Sequence, residues 1–220
     1  MEQNRLDFDA VILAGGRSSR LGGVPKQGLF FHDDTLLQRA LAAAAGASRT
    51  VVVGPEPGHS VPGVLFCREQ PEFAGPAAAI SAGLDALAQG GRGAEFILVL
   101  ACDMPLVRDA VGALVAAMAL ADADGALASS EDGRLQPLAG LYRTAALKKS
   151  AAELSSRGAL INGSVRSLLA SLEVQPVTVP AGSTADVDTW DDAAALGIAA
   201  GSQDKGPGPG QPQLNREARS

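Results

Sequence analysis

Between Leu13 and Lys26 the chain reads LAGGRSSRLGGVPK, which places adjacent glycines at Gly15 and Gly16, an arginine at Arg20 and a lysine at Lys26 in one loop. The loop directly follows the apolar run Ala10-Val11-Ile12-Leu13. This combination suits a phosphate chain. With no side chains at Gly15 and Gly16, backbone N–H groups can approach phosphate oxygens, while Arg20 and Lys26 supply the opposing charge. The spacing matches neither G-x-G-x-x-G nor G-x-x-x-x-G-K-[ST], so neither a dinucleotide fingerprint nor a P-loop is present. A glycine-rich surface loop with solvated charges is the competing reading, and it accounts less well for the strand before the loop and the capped helix after it.

Two acidic positions complete the candidate chemistry. Asp103 follows the continuous apolar run Phe96 to Ala101 and stands two residues before Pro105. A carboxylate there can hold Mg²⁺, a hard cation that takes one or two protein carboxylates plus substrate phosphates; it can also serve as a turn or capping residue. Asp186 and Asp188 alternate in D-V-D-T before a helical segment, so in an extended chain only one of them faces a given side. The alternation does not say which of the two faces the cleft, and Asp188 could instead cap the helix.

The elements that position these residues alternate in type. Strands are expected at Ala10 to Leu13, Thr50 to Val53, Val64 to Cys67 and Phe96 to Ala101, the last carrying the pattern of a strand buried on both faces. Helices are expected after the N-cap candidates Asp34 and Thr35 with Gly46 as terminator, over about 77–88 behind Pro76, and over about 109–121. After Gly125, GALASS, the turn pair Asp132-Gly133 and LQPLAGLYR predict two strands that need not be parallel to the others. Helical stretches near 145–154 and 165–172, a strand at Val174 to Val179 and a helix after Asp188 follow. The fold class is therefore α/β: a three-layer, mostly parallel Rossmann-like sheet with a small antiparallel element in the second half. Ligands of such sheets bind at the carboxyl ends of the strands, where Gly15 and Asp103 both emerge.

Composition narrows the function. With 18 Lys and Arg against 24 Asp and Glu, a net charge of −6 and 4% aromatics, the chain has neither the basic stripe nor the stacking platform of a nucleic-acid binder. Cys67 and Cys102 lack metal spacing and read as buried apolar side chains in a reducing compartment, and His32 and His59 are too few for a histidine zinc site. No apolar run reaches transmembrane length and the start MEQNRLDFD lacks a signal-peptide core, so a cytoplasmic protein is expected. Residues 1–200 read as one domain; the Gly-, Pro- and Gln-rich stretch 201–220 is expected to be disordered.

The loop, together with REQPEFAGPAAAISAGL from Arg68, LVLACDMPLV from Leu98, QPLAGLYR from Gln136 and DVDTWDD from Asp186, resembles the molybdenum cofactor guanylyltransferases over nearly all of residues 8–197. The resemblance implies an Mg²⁺-dependent nucleotidyltransferase fold and activity, with GTP and molybdopterin as substrates and molybdoenzymes or other cofactor-biosynthesis proteins as candidate partners. It assigns the nucleotide to Leu13, Ala14, Gly15, Gly16, Arg20, Lys26, Gln70 and Asp103, catalysis to Arg20, Lys26 and Asp103, the metal to Asp103, and the acceptor side to Asp188. Gln70 stands where relatives carry an aspartate, with Glu69 beside it, which keeps CTP open as the nucleotide. A sugar-phosphate nucleotidyltransferase and a non-catalytic nucleotide sensor are the other readings.

Overall fold

The computed structural model describes residues 6–16, 18–58, 61–91 and 93–199; the stretch 201–220 expected to be disordered lies outside them. Strand β1 (Phe8–Leu13) is buried along its whole length, including Asp9. It begins two residues earlier than the apolar run because Asp9 is neutralised in place. Arg49 donates to both carboxylate oxygens at 2.6 and 3.3 Å, and the Ala94 N–H donates at 3.2 Å. A buried carboxylate persists only when paired and hydrogen-bonded in this way.

A short hairpin, β2 (Phe30–Phe31) and β3 (Asp34–Thr35), leads into α1 (Leu36–Ala43). Thr35 caps α1 through a reciprocal box with Gln38, and the helix ends three residues short of Gly46. Strands β4 (Thr50–Val53) and β5 (Val64–Cys67) precede α2 (Pro76–Gln89), which starts at Gly75 with Pro76 in its first position. Then come β6 (Phe96–Ala101), α3 (Arg108–Met118), β7 (Gly125–Ser129), β8 (Leu135–Arg143) and α4 (Thr144–Ser156). The chain closes with α5 (Val165–Leu169), β9 (Val174–Thr178), α6 (Trp190–Ala195) and β10 (Ile198–Ala199).

The main sheet has the order β5-β4-β1-β6-β8-β7-β9. Only β8 runs against its neighbours, since β6 and β7 both pair with it antiparallel while the remaining pairs are parallel. The antiparallel element expected in the second half is thus a single reversed strand, folded back at Gly133, whose φ is 83°. Strand alternation divides the core. Ala10, Ile12, Leu98 and Leu100 pack with Leu37, Val111 and Leu114 on one face; Val11, Leu13, Ile97 and Val99 pack with Ile80, Leu84, Leu147 and Leu168 on the other. This makes three layers, with α1 and α3 on one side and α2, α4 and α5 on the other.

Sequence periodicity does not anticipate the second sheet, in which β10 and β3 flank β2 antiparallel. Under it lies a third apolar cluster of Leu21, Leu29, Phe31, Leu36, Val187, Ala193 and Ile198. The loop after β1 and the segment 187–198 are therefore packed on each other. Among the described residues no helix is long and apolar enough to cross a membrane.

Candidate active site

Strand β1 has β4 on one side and β6 on the other, so successive crossovers diverge from it and leave a crevice at the carboxyl ends of the strands. Three backbone bonds and one close approach build its floor. The Ala14 N–H donates to the Val53 carbonyl, the Cys102 N–H to the Leu13 carbonyl and the Gly54 N–H to the Cys67 carbonyl, all at 2.9–3.0 Å. Gly54 lies directly against the turn after β1, because a Cβ there would stand 2.7 Å from the Ala14 carbonyl carbon. Its role is to support the loop's backbone.

Above this floor opens a cavity of about 550 Å³. Leu13, Ala14, Gly15, Gly16, Arg20, Lys26, Asp103 and Asp188 all line it, so sequence segments far apart in the chain meet on one rim. The Lys26 ammonium lies 3.0 Å from Asp103 Oδ2 and 2.6 Å from Asp188 Oδ1. Arg20, mostly exposed, stands 3.5 Å from Asp188 Oδ2 on the outer side. Lys26 opens a 3-10 turn, Lys26–Gly28, while Arg20 sits in another, Ser19–Leu21, anchored by the buried Leu21.

Gly15 and Gly16 are exposed and line the same cavity. A Cβ at Gly15 would make only an ordinary 3.7 Å contact, and one at Gly16 would meet nothing within 4 Å. Protein packing therefore does not require either glycine to be bare. Gly16 is required by its φ of 142°, and both leave a strip of backbone facing open space. That strip fits a ligand that must come close to the main chain.

The charges in the cluster shape one another. Burial raises the Asp103 carboxyl above its ordinary value of 3.8; the charge and hydrogen bond of Lys26 offset part of this, and the charge of Asp186 adds to it. Burial pulls the Lys26 ammonium down, but Asp103 and Asp188 outweigh it, and its pKa lies above the ordinary 10.5. The Cys102 thiol beside Asp103 is held well above its usual range by burial, so it is an inert wall residue.

Asp188 does not cap α6. That position belongs to Thr189, whose hydroxyl accepts from the Asp192 N–H, which leaves the Asp188 carboxylate to the cavity. Among the described residues no group of three or more His, Cys, Asp or Glu could hold a metal ion. Asp103 and Asp188 give a hard cation two carboxylates, a set that requires substrate oxygens to complete its shell.

Gln70 is not brought to this cavity. Its side chain is exposed, whereas the preceding Glu69 is buried and lines the wall. The chain bends at Gln70 just after β5, and the acid takes the inward position. Glu69 Oε1 accepts from the Phe73 N–H at 2.9 Å, and Phe73, with a φ of 62°, lines the same wall. Phe73, Gln27, Ser18 and Leu138 are lining residues that sequence reasoning missed. The signal for Phe73 was a rare aromatic in EFAGP, immediately before the helix start at Pro76.

Comparison with known proteins identifies the family. Residues 10–178 match the MobA-like NTP transferase domain. The chain is 35% identical over 137 residues to the molybdenum cofactor guanylyltransferase of Bradyrhizobium sp., covering 60% of this chain and 64% of that relative, just under two thirds of its length. It is 32% identical over 194 residues to the probable molybdenum cofactor guanylyltransferase of Opitutus terrae, covering 86% and 93%. Among solved structures it shares its fold with the molybdopterin-guanine dinucleotide biosynthesis protein A of Archaeoglobus fulgidus (TM-score 0.63, 20% identity, 86% and 96% covered). It also shares it with the 2-C-methyl-D-erythritol 4-phosphate cytidylyltransferase of Francisella tularensis (TM-score 0.69, 14% identity, 87% and 98% covered). The chain belongs to the MobA-like NTP transferase family.

Proposed function

We propose that this chain transfers GMP from GTP to the terminal phosphate of molybdopterin and releases pyrophosphate. The observation that carries the reading is Lys26 held between Asp103 and Asp188 in the same cavity as the bare backbone of Gly15 and Gly16. The names of the relatives support guanine and molybdopterin as the two partners.

In the proposed reaction an acceptor phosphate oxygen forms a bond to the α-phosphorus of GTP. The bond from that phosphorus to the bridging oxygen breaks, and pyrophosphate leaves with the electron pair. A phosphate monoester, with a second pKa of about 6, is mostly a dianion near neutral pH and needs no general base. The residues then have to align the reactants and neutralise charge. Arg20 and Lys26 bind and balance the departing phosphates, and the N–H groups after Leu13 orient the nucleotide. Asp103, with Asp188 beside it, would hold Mg²⁺, which when bound supplies further neutralisation on the phosphate oxygens. Glu69 is the buried acceptor available to base or ribose in place of Gln70. With this reading go a cytoplasmic setting and molybdoenzymes as recipients of the product.

Pyrophosphate release from GTP or CTP, with Mg²⁺ and molybdopterin as acceptor, tests the proposal. Release with GTP is expected. Preference for CTP overturns the base, release only with a sugar-phosphate acceptor overturns the acceptor, and nucleotide binding without release from any pair overturns catalysis.

A further inference from the structure

Asp188 meets Lys26 from a backbone that is fixed by one atom of another residue. Asp192 Oδ2 accepts from the Asp188 N–H at 3.1 Å, from the Thr189 N–H at 2.8 Å and from the Thr189 hydroxyl at 2.8 Å. A helix cap needs only the reciprocal exchange between Thr189 and Asp192. The bond to Asp188 is additional, and it falls on the residue whose carboxylate enters the site.

The same short segment is held from its other side. The Val187 N–H donates to the Asp103 carbonyl at 3.1 Å, and the Val187 side chain is fully buried with Leu21 and Leu29 of the glycine loop and Ala193 of α6. Asp103, the glycine loop and Asp188 are therefore referenced to one packed unit, of which Val187, Asp188, Asp192 and Ala193 lie beyond the residues matched by the family domain.

We propose that Asp192 is a positioning residue of this site, setting the Asp188 carboxylate against Lys26. The proposal rests on the guanylyl-transfer reading, and wild-type pyrophosphate release with GTP and molybdopterin tests that reading separately. Asp192→Ala is expected to lower kcat by about 10- to 100-fold, the scale of a small misplacement, with KM for GTP no higher. Asp192→Asn keeps an acceptor oxygen in place and is expected to restore most of kcat. Ala194→Gly weakens the same helix from its exposed side without touching Asp188, and is expected to keep wild-type kcat while lowering the melting temperature. Wild-type kcat in Asp192→Ala overturns the proposal. So does a loss in Ala194→Gly as large as in Asp192→Ala, because helix stability alone would then explain both. If Asp192→Ala does not fold, Asp192→Asn decides: kcat as low as that of an Asp188→Ala variant overturns the proposal, and near wild-type kcat supports it.

Discussion

Lys26 Nζ lies 2.6 Å from Asp188 Oδ1 and 3.0 Å from Asp103 Oδ2, so one ammonium joins the acid that follows β6 to the acid that precedes α6. Both Lys26 and Asp103 side chains are about one-fifth exposed, which places the pair between a surface salt bridge and a buried one. The charges of this cluster respond to pH and to substitution in ways that can be measured.

Asp103 should make the fold less stable as the pH rises. Burial raises its carboxyl above the ordinary 3.8, so the folded state holds this proton more tightly than the unfolded chain does. Its contribution is full below the ordinary value and is lost as the pH climbs through the raised one. Asp103→Asn carries no such titration and should gain on the wild type from about pH 4 upward, levelling off above the raised value. Urea unfolding of both proteins across that range checks the sign. A wild type that gains on the variant would show that Lys26, and not burial, governs this carboxyl. The same variant should lose turnover while keeping its fold.

Two glycines in the site should fail in different ways when changed to alanine. At Gly54 the new methyl would stand 2.7–2.9 Å from the backbone of Ala14 and Gly15, and φ is 156°, so the loop itself must shift. A loss of about 2–3 kcal/mol in unfolding free energy is expected, as for an overpacked core position. At Gly16 no protein atom obstructs the methyl and only the φ of 142° resists it, at a cost of about 1 kcal/mol. Gly16→Ala should instead weaken triphosphate binding, by at least about tenfold, or 1.4 kcal/mol. Calorimetric binding and chemical unfolding separate the two effects; equal losses of stability would mean that Gly16 serves packing alone.

The site was legible in the sequence where one strong rule applied. A buried apolar strand followed by Asp103 and another followed by Gly15 must deliver both to the same sheet edge, and Lys26 is found in contact with Asp103. Reading failed where neighbours compete. Residue type does not separate Glu69 from Gln70, because facing depends on a one-residue phase, nor Asp188 from Thr189, because both residue types cap helices. Strands β2, β3 and β10 have two residues each and can show no periodicity, and their pairing depends on Ile198 returning to Phe31 from the far end of the chain. Asp9 looked like the end of a strand because its partner Arg49 is forty residues away.

Lys26 should also control access of a divalent cation to the two carboxylates. Its ammonium is hydrogen-bonded to one oxygen of each, the oxygens a cation would compete for. A triphosphate drawing the ammonium onto its own oxygens would uncover them, coupling nucleotide and cation binding in both directions. Mn²⁺, read by electron paramagnetic resonance, is a suitable probe because it needs no turnover. The nucleotide-free wild type should bind it weakly, and nucleotide-free Lys26→Met, with both carboxylates released, should bind it about tenfold more tightly, within the usual span of such couplings. Lys26→Met should at the same time lose affinity for GTP, since the loop's buried cation is gone. Equal Mn²⁺ affinity in the two nucleotide-free proteins would show that the ammonium does not contest the site, and that Asp103 and Asp188 receive their cation independently of the glycine loop.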